Sequence, residues 1–238
     1  MADRASKPKN GANSRERLLE AAVDVFGKRG FDAATTRMIA TEAGVNIAAI
    51  PYYFNGKEGL YHAAVKHIVE KIEAKAGNTF KDMAALAAED RLSREKALDG
   101  LGSLLGAVVD FMVGSPEAPR VARIILREQL DPSSAYDIIY SRVMSRIINL
   151  IALFLTVILK GIPLRTARLR AMAIMGQVIS FRVARETMVR MAGIEGYTED
   201  ETEEIRNIVL EHTKAVIAGL QAMGGDGTDG LTHVFRQD

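Results

Sequence analysis

The stretch Thr35–Leu60, TTRMIATEAGVNIAAIPYYFNGKEGL, decides how the chain is read. Thr35 or Thr36 caps a short helix over 36–43, because a hydroxyl there accepts a hydrogen bond from an otherwise unpartnered first-turn N–H, and Gly44 ends it. Asn46 is placed to cap a second short helix reaching about Tyr53, with Asn46, Ile47, Ala48 and Ala49 in its first turn. Pro51 falls inside that helix, where it removes the N–H that would bond the Ile47 carbonyl, so a kink is expected. Two short helices joined at a glycine and preceded by a supporting helix form the helix-turn-helix arrangement, whose second helix enters the DNA major groove. Spacing alone fits an ordinary helical hairpin equally well.

Outward from this stretch the apolar residues keep helical spacing, and no alternating strand pattern occurs. Upstream, Asn13 or Ser14 starts a helix with the apolar stripe Leu18, Ala22, Val25 and Phe26, stopped by Gly30. Downstream the spacing predicts helices over 57–75, 93–113, 115–130, 131–160, 163–191 and 198–223, with a loosely helical connector over 77–92. The fold class is all-α, nine helices in a three-plus-six arrangement. The expected organisation is a flexible basic arm over 1–13, a helix-turn-helix domain over 14–56, a larger helical domain over 57–223 and a disordered tail over 224–238.

Composition removes several function classes. The 238 residues contain no cysteine, which excludes disulfides, thiolate metal sites and a cysteine nucleophile. His62, His67, His212 and His233 are the only histidines, and none has a second ligand at metal-binding spacing in the sequence, so no metal or cofactor is expected. No phosphate-cradling glycine loop or nucleophile motif supports an enzyme. The apolar run 147–159 is too short for a membrane span and reads as a buried helix. With no secretory leader pattern at the start, a cytoplasmic location is expected. The net charge of +1 predicts no nucleic-acid affinity by itself, but residues 1–30 hold seven basic against four acidic side chains, so the basic excess sits at the front.

The residues of Thr35–Leu60, with Leu18, Ala21, Phe26 and Gly30 upstream, resemble the DNA-binding domain of TetR-family transcriptional regulators: the paired threonines, the Ile-Ala…Ala-Gly-Val turn, the aromatic cluster and the Lys-Glu that opens the next helix. REQLDPSSAYDIIY at 127–140 and RLRAMAIMGQVISFRVARE at 168–186 are similar to the ligand-domain motifs of the YbiH/CecR-like subgroup. The resemblance implies a homodimer on a palindromic double-stranded DNA operator, released or rearranged by a small-molecule effector, and acting as a repressor. It implies that Tyr52 and Lys57 hold DNA phosphates. Thr35 and Thr36, at a helix N-terminus, suit a phosphate on physical grounds as well as capping. Arg37 reaches a base edge or a phosphate, or is a solvated surface arginine. Ile47 stands where many members carry a polar residue, leaving only apolar contact to a base. Tyr53 and Phe54 read as core.

In the larger domain, Ala173, Gly176, Ser180 and Ala184 make one narrow helical face suited to close helix approach, the candidate dimer interface. The same helix carries Arg165, Arg168, Arg170, Arg182, Arg185 and Arg190, and the last helix is rich in Glu and Asp, so these charges are expected to pair. For the effector site the candidates are Phe111, Tyr136, Tyr140 and Met144, which read equally as core, and Arg127 and Glu128, which serve either as ligand contacts or as a salt bridge. The competing reading is an all-α ligand-binding or catalytic protein with no role on DNA.

Overall fold

The structure, a computed structural model, describes residues 9–224, and no strand occurs among the described residues. The helices are α1 (Lys9–Ala33), α2 (Thr36–Ala43), α3 (Ala49–Phe54), α4 (Lys57–Ala87), α5 (Arg94–Val109), α6 (Ala118–Leu130), α7 (Tyr136–Ile139), α8 (Ser145–Ile158), α9 (Leu164–Val183), α10 (Arg185–Ala192) and α11 (Glu199–Gly224), with π turns π1 (Asp110–Gly114) following α5 and π2 (Tyr140–Met144) between α7 and α8. The nine predicted helices are thus redistributed. The run predicted over 163–191 breaks at Ala184 into α9 and α10, the connector over 77–92 is mostly the end of α4, and Asn13 and Ser14 lie inside α1 rather than at its start. Residues 1–8 of the expected arm and nearly all of the expected tail lie outside the described residues.

The chain divides into two compact units: residues 1–75 with 116–145, and 76–115 with 146–238. The first does not stop at residue 56. It takes in the start of α4 and all of α6, because α1 cannot bury Leu18, Leu19, Ala22, Val23 and Phe26 against α2 and α3 alone. Its core adds Ile39, Ile50, Leu60, Val65, Ile68 and Ile124, with Phe26, Phe31 and Tyr61 packed edge to face or stacked.

Polar groups fasten the same helices. Arg120 of α6 donates from Nε to Asp24 at 2.6 Å and from Nη2 to Glu20 at 3.0 Å. His67 Nε2 lies 2.9 Å from Glu20 Oε1, and Lys71 donates to the same oxygen. Arg127 donates from Nε to the Gly27 carbonyl at 3.3 Å and from Nη2 to that of Lys28 at 3.4 Å. Gly30, at φ 81°, both breaks the helix and makes room, since a Cβ there would sit 2.9 Å from the Arg127 guanidinium. Glu128 is only 2% exposed, and its carboxylate accepts from the Tyr61 hydroxyl at 2.5 Å and from the Ser133 N–H at 3.1 Å. These bonds hold 131–135 as a turn, which is why the next helix begins at Tyr136 rather than at Pro132.

In the second unit, α5 and π1 pack on α11, and α9 packs on π1 and α11. Leu101, Leu104, Leu105, Phe154, Leu155, Ile174, Val178, Val209 and Ile217 form the core. Gly100 admits the Phe154 ring, which would lie 2.8 Å from an added Cβ. The helical runs Arg94–Gly114 and Tyr136–Ile158 have the length and hydropathy of a membrane span, but Leu104, Leu105, Phe154 and Leu155 within them are fully buried core side chains.

Burial would raise the Glu20 carboxyl, yet hydrogen bonds from Lys71, His67 and Arg120 outweigh it and hold its pKa at about 2 against an ordinary 4.5. A carboxyl depressed in the folded state stabilises fully above its unfolded pKa, and that contribution disappears as pH falls through the folded value. Stability should therefore decline between pH 4.5 and about 2. With partial exposure screening the network, Glu20→Gln should cost roughly 1 kcal/mol at neutral pH, or about 2–4 °C in melting temperature, and flatten the acid decline in circular-dichroism melts.

Candidate nucleic-acid interface

Thr35 caps α2 by accepting the Met38 N–H on its hydroxyl at 3.2 Å, and Gly44 ends the helix in the left-handed region at φ 59°. Ile39, Ala40 and Ala43 are buried, so the opposite side of α2 faces outward. Thr36 is half-buried there, and Arg37 is exposed, with no hydrogen bond or ion pair among the described residues.

The turn between α2 and α3 is longer than the sequence implied. The Asn46 side chain accepts the Ala48 N–H at 2.9 Å and its carbonyl accepts the Ala49 N–H at 2.9 Å, so Asn46, Ile47 and Ala48 precede the helix and Ala49 is its first residue. The expected kink at Pro51 does not occur. The proline lies in the first turn of α3, the Ile47 carbonyl is already taken by the Ile50 N–H at 3.1 Å, and nothing is left unpaired by its missing donor. Ile50 and Phe54 anchor the helix in the core, while Tyr52 is 81% exposed and Ile47 44%. Tyr52 stands edge-on to the half-buried Tyr53 at 4.8 Å between ring centroids.

Asn55, in the left-handed region at φ 58°, and Gly56 at φ 108° complete a tight turn into α4. Gly59 is required there, because a Cβ would fall 1.8 Å from the Phe54 carbonyl oxygen. Lys57 sits in the first turn of α4, with Nζ donating to the Asp32 carbonyl at 3.2 Å and 4.5 Å over the Phe31 ring. Beside α2 an open cleft of about 480 Å³ brings Lys28 and Arg29 of α1 together with Thr35 and Arg37, and Asp24 and Glu42 line it as well. The sequence reading passed over Lys28 and Arg29. The local excess of basic residues was their only signal, and it did not say which way they face.

The effector candidates do not gather within one unit. Phe111 belongs to the second, and Arg127, Glu128, Tyr136, Tyr140 and Met144 to the first. Arg127 and Glu128 are not paired with each other; one holds the end of α1 and the other the turn after α6. The structure also brings Glu16 and Glu20 within reach of His67, a three-ligand grouping hidden by the distance along the chain. Lys71 and Arg120 already neutralise Glu20, so the group is an ion-pair network.

Comparison with known proteins gives the lineage. Residues 18–64 match the family model for bacterial regulatory proteins of the tetR family, and residues 97–220 match that for the C-terminal domain of the HTH-type transcriptional dual regulator CecR. CecR of Shigella flexneri is 30% identical over 216 residues, covering 88% of this chain and 94% of its own. The transcriptional repressor NicS of Pseudomonas putida is 33% identical over 104 residues, 44% of each chain. Among solved structures, a transcriptional regulator from Pseudomonas aeruginosa PAO1 has a TM-score of 0.60 at 15% identity, covering 88% of this chain and 92% of its own. A TetR regulator from Haloarcula marismortui reaches 0.55 at 17% identity, covering 86% and 98%. These relatives are transcriptional regulators and not enzymes, and two family models, one at each end of the chain, with an alignment spanning nearly the whole of CecR establish that this chain belongs to the TetR family of bacterial transcriptional regulators, with a C-terminal domain of the CecR type.

Proposed function

We propose that the protein is a ligand-responsive cytoplasmic repressor that binds a palindromic operator as a homodimer. The observation that carries this reading is the outer surface of the first unit, where Arg37, Ile47 and Tyr52 are exposed while their neighbours Ile39, Ile50 and Phe54 are locked in the core. Two short helices and the turn between them, presenting an arginine on α2, an apolar side chain in the turn and a phenol on α3, suit one base contact, one thymine-methyl contact and one phosphate contact. Thr35, Thr36, Asn46, Ala48 and Ala49 border the same surface, and Lys57 supplies charge at its edge, with Lys28 and Arg29 extending it along α1.

Dimerisation is assigned to the second unit. On α9, Leu169, Met172, Ala173, Gly176, Ser180 and Val183 are exposed, with Ala184 at the helix break, and an added Cβ at Gly176 or at Gly219 of α11 would meet nothing within 4 Å. Two such faces related by a two-fold axis match a palindromic site. Arg120 and Arg127 fasten α6 to α1, so an effector that displaces α6 acts directly on the DNA-reading helices.

Sequencing duplexes retained from a randomised pool tests the reading: an inverted repeat is expected, and retention without sequence preference would overturn it. Arg37→Ala should cost about 1–3 kcal/mol and relax preference at one base pair in each half-site. Pro51→Ala should leave the ratio of operator to random-sequence affinity unchanged and lower stability by about 0.4–1 kcal/mol, through the looser unfolded chain. Gly176→Leu should retain full helicity, since leucine is the better helix former by about 1 kcal/mol, while shifting sedimentation from dimer to monomer.

A further inference from the structure

The second unit contains a buried positive charge with no counter-charge. Arg182, in the last turn of α9, is 8% exposed, and its Nε is shielded from solvent with no hydrogen-bond partner. Its one hydrogen bond runs from Nη2 to the Val113 carbonyl at a long 3.4 Å. A guanidinium does not discharge at any physiological pH, so the charge is permanent. Burial, compounded by the neighbouring positive charge of Arg185, lowers the Arg182 pKa, with Tyr197 opposing.

The arginines of α9 were expected to meet the acids of the last helix, but Arg182 meets none of them, and three acids of the second unit have other partners. Glu186 pairs with Arg190 at 2.8 Å, Asp110 with Arg206, and Glu201 takes the Thr198 N–H at 2.9 Å in a capping box. Among the described residues no carboxylate lies within ion-pair distance of Arg182 or Arg185. Arg185, at the start of α10, instead lies 5.7 Å from the Tyr197 ring centroid, and the Tyr197 hydroxyl donates to the Phe181 carbonyl at 2.9 Å. The simplest alternative makes Arg182 a cap, its charge offset by the terminal carbonyls of α9 and π1. Each helix end supplies only about half an elementary charge, spread over several groups. One long contact to Val113 falls short of compensating a full buried cation.

We propose that Arg182, with Arg185 beside it and Val113, Phe181 and Tyr197 around it, is the seat of an anionic effector: a carboxylate carried on a small apolar body. The guanidinium fork suits a carboxylate in two-point contact, and the aromatic and aliphatic neighbours suit the body. This identification rests on the ligand-responsive reading above and supplies its chemical class. Arg182 shares α9 with the exposed Gly176 face, so a ligand held here acts on the helix assigned to dimerisation.

The test uses the full chain in low-salt HEPES buffer, with benzoate and octanoate as probes and benzamide and octanamide as uncharged controls. Binding is followed by tyrosine fluorescence, which no tryptophan masks, and by melting temperature. At least one acid should bind at least tenfold more tightly than its amide. Arg182→Met should abolish that discrimination and, by removing an uncompensated charge, raise the melting temperature of the ligand-free protein. Arg182→Lys should retain a weakened preference for the acid. Equal response to acids and amides, or an Arg182→Met protein that melts lower or fails to fold, would overturn the proposal and return Arg182 to a capping role. Dissociation of the Arg182→Met dimer alongside a wild type indifferent to both acids would also overturn it, placing a second copy's carboxylate there. DNA retention by the wild type, measured without probe, reports separately on the regulator reading.

Discussion

Most of the first unit depends on how α1 is held. That helix carries the apolar residues on which α2 and α3 pack, and the bonds from its polar side to α4 and α6 converge on one carboxylate above all, Glu20, shared by His67, Lys71 and Arg120. Charged hydrogen bonds that converge on one partly shielded group are worth more than the same number scattered over a surface, because each partner is fixed by the others. The adjoining bonds from Arg120 to Asp24 and from Arg127 to the carbonyls near the end of α1 extend the attachment along the helix. The surface formed by α2 and α3 is therefore built on a helix that α6 helps to hold.

Local rules carried the sequence reading wherever a local interaction decides the structure. Thr35 and Gly44 bracket α2 because a cap and a left-handed terminator act within one turn of chain. Ser93 and Thr198 start their helices for the same reason. Failures came where a partner far along the chain intervened. Nothing near Glu128 in sequence announces that Tyr61 will meet it and that a turn will form over 131–135. The Glu16, Glu20 and His67 grouping was invisible because it joins two helices. Pro51 was misplaced by two residues of helix boundary: counted from a cap at Asn46 it is an interior residue, and counted from the cap at Ala48 it is an ordinary first-turn proline.

The candidate site was legible to the same degree. The exposure of Arg37 and Tyr52 follows from the helical phase set by Ile39, Ile50 and Phe54, which can be counted in the sequence. The arrival of Lys28 and Arg29 beside α2 depends on the angle at which α1 ends, set by Gly30 and the arginine packed against it. In the second unit a broad pattern, arginines on one helix and acids on another, suggested mutual neutralisation. Among the described residues that neutralisation does not reach Arg182, which is buried with no carboxylate beside it.

The turn joining α3 to α4 has a consequence for how such a protein diversifies. Asn55 and Gly56 are the only residues between the two helices, and Gly59 already lets the Phe54 carbonyl lie where any side chain would collide. No slack exists for an inserted residue or a bulkier one. Change on this part of the molecule is therefore confined to outward side chains such as Arg37 and Ile47, exchanged one at a time on a frame whose length and pitch are fixed by steric necessity.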